Sequence, residues 1–122
     1  MRKPKELNDI VSLQNQLQTN ENGSVFLINV FTIDTKDEET LLVAWSHDAS
    51  FMKEPDYIST QMYKAICGSA TYINYAIWEV VESFRNAFNN PEFQKRIGQY
   101  PDSANVSTHL FKKLAVNGHC VE

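Results

Sequence analysis

The sequence predicts an α+β domain, a sheet with helices on one face. Three features predict it. An apolar run from Ser24 to Asp34 is followed at once by helical spacing. Two strand-like runs, Tyr57 to Lys64 and Thr71 to Trp78, are joined across Gly68-Ser69. A second helical stretch then leads to a last alternating run, Thr108 to Val116.

Residues 1–23 differ from the rest of the chain. Leu7, Ile10, Val11 and Leu17 lie at helical spacing in an Asn/Gln/Lys/Glu-rich stretch that ends in Asn22-Gly23, which predicts a short amphipathic helix and a turn. A helix of that length is marginal alone, so it is expected to pack on the domain or on a partner subunit. Val25 to Ile33 is apolar on both strand faces, as in a central strand, and Asn29 interrupts it as either a sheet partner or a pocket donor. Thr35-Lys36-Asp37-Glu38 has capping-box spacing. The helix it opens carries Leu41, Leu42, Trp45, Ala49 and Met52 on one face and stops before Pro55.

After Trp78, Val81, Phe84, Arg85 and Phe88 fall at i, i+3, i+4 and i+7, so a second helix lays Phe84 and Phe88 on the sheet. Asn90-Pro91 reads as an N-cap with proline at the first helical position, opening a further short helix that Gly98 ends. The order β-α-β-β-α-β is that of a ferredoxin-like split unit. It divides the chain into an extension, 1–23, and a domain, 24–122.

At 122 residues, 43% apolar and 21% charged, the chain can bury a core without metal or disulfide help. A net charge of −4 with 11 Lys and Arg leaves no basic stripe for phosphates, which argues against nucleic acid. No apolar run of signal-peptide or membrane-spanning length occurs, so a cytoplasmic protein without membrane contact is expected. Cys67 and Cys120 are expected as free thiols. His47, His109 and His119 form no metal-spaced pair, so no metal is expected. His47 is expected to face solvent or the helix flank rather than a cavity, and His109, without a partner, is expected in a structural role.

Strand parity supplies the strongest functional signal. Tyr72, Asn74, Ala76 and Trp78 share one face, with Thr71, Ile73, Tyr75 and Ile77 on the other. An amide between a phenol and an indole must find a partner or cost about 1–3 kcal/mol. Either the core satisfies Asn74 or a ligand does. The opposite face, with Phe26, Ile28, Val30, Ile73 and Ile77, is too apolar to stay open on a monomer, so a homodimer is expected.

Several segments together carry a family likeness: Val25-Phe26-Leu27-Ile28-Asn29-Val30-Phe31, Ala44-Trp45, Phe51-Met52-Lys53-Glu54-Pro55, Ile58-Ser59-Thr60-Gln61, Asn74-Tyr75-Ala76-Ile77-Trp78-Glu79, Phe84-Arg85-Asn86-Ala87-Phe88, Pro91-Glu92-Phe93 and His109-Leu110-Phe111-Lys112-Lys113. In that order, from about Ser24 to Val121, they resemble the antibiotic biosynthesis monooxygenase family. The resemblance implies a dimeric α+β barrel with a pocket between sheet and helices in each subunit. Some members oxidise phenols or hydroquinones to quinones with O2 and without metal or flavin, and a related branch degrades haem. Asn74 and Trp78 match the family's Asn-x-x-x-Trp arrangement, and Asn29 matches the pocket-facing Asn that haem-degrading relatives carry on the first strand. The haem branch also needs an axial histidine on the helix after the Trp, where this chain has Phe84 and Phe88. The family often has Pro-Gly at Pro55-Asp56, His at Tyr63, and a Ser cap at Val80.

On these residues the resemblance implies a cofactor-independent monooxygenase acting on a small aromatic, phenolic or quinol-like molecule with O2. Asn74 and Trp78 are its expected catalytic groups, and Asn29, Phe31, Tyr72, Phe84 and Phe88 its expected substrate-binding groups. Neutral donors in a dry aromatic cavity suit an oxyanion formed when the substrate is deprotonated. The alternative is a binding protein that uses the same pocket without turnover. Haem degradation is disfavoured.

Overall fold

The computed structural model describes residues 3–19, 21–51 and 57–120. The elements run β1 (Lys3–Pro4), α1 (Leu13–Leu17), β2 (Val25–Thr32), α2 (Glu38–Phe51), β3 (Tyr57–Lys64), β4 (Thr71–Trp78), α3 (Val81–Phe88), α4 (Pro91–Arg96) and β5 (Asn105–Phe111). The sheet order is β1-β5-β2-β4-β3, and apart from the short parallel β1–β5 edge its pairs are antiparallel. Within it, β2-α2-β3-β4-α3-β5 is the expected ferredoxin-like unit.

Several expected boundaries move, each for a local reason. Residues 7–11 are not helical. The Asn8 carboxamide accepts from the backbone N–H groups of Ile10 and Val11, and Ser12 then caps α1 in a capping box with Asn15. Local side-chain bonds of this kind compete with helix, so Leu7, Ile10 and Val11 are exposed while Leu13 and Leu17 enter the core. The N-terminal segment is tied to the sheet. Lys3 and Lys5 donate backbone N–H groups to the carbonyls of Ala104 and Val106, and the Gln16 amide makes paired bonds with the backbone of Leu110, substituting for a neighbouring strand on the β5 edge.

The Thr35/Glu38 capping box does not form. Residues 35–37 make one 3-10 turn and α2 begins at Glu38. Its carboxylate accepts from Lys64 Nζ at 2.6 Å and from the Tyr72 hydroxyl at 2.8 Å, which takes it away from the helix start. The last strand is Asn105–Phe111, not Thr108 to Val116. Its final rung pairs Phe111 with Phe26, one residue from the start of β2, and beyond it the chain leaves the sheet with Leu114 exposed. β2 is fully buried on one face only and half-buried on the other. Met52, Lys53, Glu54, Pro55 and Asp56 lie outside the described residues. Cys67 and Cys120 are free and exposed.

The helix-covered face of the sheet holds two hydrophobic clusters. One joins Phe31, Tyr72 and Val106 to Leu41 and Ala44 of α2 and to Tyr100. The other joins Val25, Leu27, Ala76, Trp78 and Leu110 to α1 and to Val81, Phe84 and Ala87 of α3. A polar rung separates them.

Candidate functional site

That rung follows from register. Asn29 on β2 lies opposite Asn74 on β4 and opposite Thr108 on β5, and residues paired across strands share a face. The Thr108 hydroxyl donates to the Asn29 carboxamide oxygen. Asn29 Nδ2 donates to Asn74 Oδ1 at 3.0 Å, and Asn74 Nδ2 donates to Thr60 Oγ1 at 2.8 Å and to the Gln61 carbonyl at 3.1 Å. The Thr60 hydroxyl ends the chain on the Tyr75 carbonyl at 3.3 Å. Four strands are thus laced by one hydrogen-bonded line, in which each bond polarises the next. Both amide protons of Asn74 are committed. The second amide proton of Asn29 has no acceptor among the described residues.

Above the rung lies a cavity of about 50 Å³. Leu27, Asn29, Asn74, Ala76, Trp78 and Thr108 form its floor; Trp45 and Asp48 of α2, Phe84 and Phe88 of α3, Phe93 and Tyr100 close it. The aromatic wall is continuous. Phe84 meets Trp78 edge-on at 5.6 Å, and Phe88 lies 5.6 Å from Phe84 and 5.4 Å from Phe93. An apolar cavity of ~150 Å³ takes up benzene, so an aromatic guest enters this one only if a wall residue moves. Phe88, half-buried, also lines an outer groove of about 340 Å³ beside the N-terminal segment, as does Thr108. It stands between groove and cavity.

The expected residues divide. Asn29, Asn74, Trp78, Phe84 and Phe88 come together around the cavity. Phe31 and Tyr72 do not line it, which corrects the sequence expectation. They pair with each other on the correct face but one rung beyond the asparagines, where α2 covers them. Tyr72 is spent on Glu38, and its phenol is pushed up first by burial and then by that bond. The Glu38 carboxyl is held below its usual range by the hydrogen bond from Lys64 and then that from Tyr72; Lys64 is raised in turn by Glu38.

Sequence reasoning missed Asp48, Tyr100, Trp45, Phe93, Thr60 and Thr108 as cavity residues. Asp48 is buried, and its Oδ2 accepts from the Tyr100 hydroxyl at 2.6 Å. The signal was present: Leu41, Ala44, Trp45 and Asp48 sit at i, i+3, i+4 and i+7, a stripe that puts a carboxylate on the sheet-facing side of α2. His47 is exposed, its Nδ1 2.9 Å from Gln99 Oε1. His109 is buried on the opposite sheet face, paired with Ile28. Neither lines the cavity. Among the described residues no group of three or more His, Cys, Asp or Glu is placed to hold a metal, and no helix is long and apolar enough to cross a membrane.

No protein-family profile and no curated protein matches the chain. Solved structures do. The cofactor-independent oxygenase SnoaB from Streptomyces nogalater superposes with a TM-score of 0.70 at 18% identity, covering 80% of this chain and 99% of its own. A candidate monooxygenase from Shewanella loihica PV-4 gives 0.67 at 24% identity over 80% of this chain and 100% of its own. A candidate antibiotic biosynthesis monooxygenase from Caulobacter crescentus CB15 gives 0.64 at 7% identity, over 77% and 92%. The chain has the antibiotic biosynthesis monooxygenase fold. Concave cavities with a few convergent polar groups are the general setting for small-molecule binding, and here the paired asparagines and Trp78 lie on the cavity floor.

Proposed function

We propose that the protein is a cofactor-independent monooxygenase that oxidises a small phenolic or quinol-like aromatic with O2. The observation that carries this reading is the amide rung set into a small cavity with an aromatic wall, with Asn29, Asn74 and Trp78 on one surface. A phenol with a para C–H consumes one O2 and gives a quinone and one water, which balances without an external reductant. The substrate anion is the electron donor, so the protein has to bind that anion, admit O2 and exclude bulk water. Asn74 is the polarising member of the line and Asn29 the amide with a proton to offer; Trp78 and the phenylalanines hold the ring. The SnoaB fold likeness supports the reaction class.

Oxygen uptake with a panel of anthrones and hydroquinones tests this. A substrate should appear for which uptake is faster with protein than without, and Asn29→Ala and Trp78→Phe should each slow it. No acceleration across the panel would remove the reading. One observation favours a second function: with both Asn74 protons held by the protein, the site is also suited to storing an apolar ligand without turnover. Tight binding of a phenol without O2 consumption would select it.

We further infer that two copies pack through the open faces of their sheets. Phe26, Ile28, Val30 and Ile77 are half-buried there, and Ile73 and Phe111 are exposed at about 40%. Sedimentation at micromolar concentration should give the mass of a dimer, and Ile73→Lys should give a monomer. A monomeric parent chain would refute the inference.

A further inference from the structure

We propose that Asp48 is the group that takes the proton from the substrate, with Tyr100 as its positioning residue; this rests on the oxygenase reading above. Oxidation by O2 starts from an anion, so some group has to accept the phenolic proton. Neutral amides and an indole N–H stabilise an anion but are no bases. Among the described residues, Asp48 is the buried carboxylate, and it lines the cavity with the two asparagines. The histidines offer no substitute. His47 faces Gln99 at the surface, and His109 is on the far side of the sheet.

The carboxylate is held in place. The Tyr100 hydroxyl donates to Oδ2 at 2.6 Å, and the Tyr100 ring lies nearly parallel to Phe31, with centroids 5.7 Å apart and planes 9° apart. Phe31 therefore serves the site at one remove, by fixing the ring that orients Asp48. From α4, the Arg96 guanidinium reaches the carbonyl of His47, next to Asp48, at 3.5 Å. The sheet side of the cavity presents neutral groups, Asn29, Asn74, Thr60 and Thr108. A phenol seated between these two sides has an acceptor for its proton on the helix side and amide dipoles for its oxygen on the other. In the step, the phenol O–H bond breaks, the proton passes to the Asp48 carboxylate, and the bonding pair stays on the phenolate oxygen; no oxidant takes part until O2 meets that anion.

Two readouts separate this inference from the oxygenase reading. Under argon, the ultraviolet spectrum of a bound phenol reports its ionisation: wild-type protein should bind it as phenolate, Asp48→Asn as the neutral phenol. In air, with substituted hydroquinones of graded acidity at one pH, Asp48→Asn should lose about 10²-fold or more in rate on neutral phenols and about two-fold or less on those already ionised. Tyr100→Phe should lose less, with the same dependence on phenol acidity, and it carries the test if Asp48→Asn fails to fold by circular dichroism. A phenolate spectrum in Asp48→Asn, or a rate loss independent of phenol acidity, overturns the proposal. A phenolate spectrum in the wild type that is lost in Asp48→Asn, without O2 uptake by any phenol, upholds Asp48 as proton acceptor while removing the oxygenase reading.

Discussion

Removing either asparagine should damage the fold as well as the site, and the two effects should not add. Asn74→Ala leaves the buried Asn29 N–H without the oxygen it meets at 3.0 Å. The other losses are milder. The Gln61 carbonyl belongs to an exposed residue on the edge strand β3, where water can replace the lost donor, and Thr60 keeps its bond to Tyr75. One orphaned buried donor costs about 1–3 kcal/mol, so with the lost packing we expect about 2–3 kcal/mol. Asn29→Ala should cost a similar amount, since it strands the Asn74 oxygen and deprives Thr108 of its acceptor. The double variant removes both ends of the shared bond and should fall short of the sum by about 1–2 kcal/mol. Urea unfolding followed by tryptophan fluorescence, at constant m-value, measures all three. Additivity within about 0.3 kcal/mol would refute the shared rung.

Three further predictions concern the parts around it. Val80 occupies the N-cap of α3 with extended backbone, φ −146° and ψ 156°, and makes no side-chain cap bond; Val80→Ser should stabilise by ~1 kcal/mol, read as a rise in Tm, and an unchanged Tm would show that the open cap is already satisfied. Phe88→Ala removes a half-buried ring between cavity and groove; it should cost about 2 kcal/mol, below the fully buried range, and raise the affinity for naphthol relative to phenol in a fluorescence titration. An unchanged ratio would show that Phe88 is not the barrier. Because Glu38 is held below the usual carboxylate range, its contribution to stability is full above that range and is lost as pH falls through the lowered value. Glu38→Gln should therefore flatten the acid side of the stability profile measured by urea unfolding, and an acid limb identical to wild type would contradict the pairing with Lys64 and Tyr72.

Much of this fold was legible from local patterns. The period-two alternation of Thr71 to Trp78 placed Asn74 and Trp78 on one face, and the apolar spacing of 81–88 brought Phe84 and Phe88 onto it, because pleat and helix period are properties of a few neighbouring residues. The Asn90-Pro91 start of α4 was equally local. The N-terminal pattern misled, since Asn8 and Ser12 offer the backbone bonds that helical spacing does not register.

What the sequence by itself determined, then, was the order of elements and the face on which each side chain stands. The tertiary structure decided which strands are neighbours and at what height the helices cross. Pairing β2 with β4 turned two distant asparagines into one hydrogen-bonded rung. The crossing of α2 buried Phe31 and Tyr72 in the core and brought Asp48 over the cavity. Face is fixed by backbone geometry residue by residue, whereas position along that face is set by long-range packing, which no local spacing encodes.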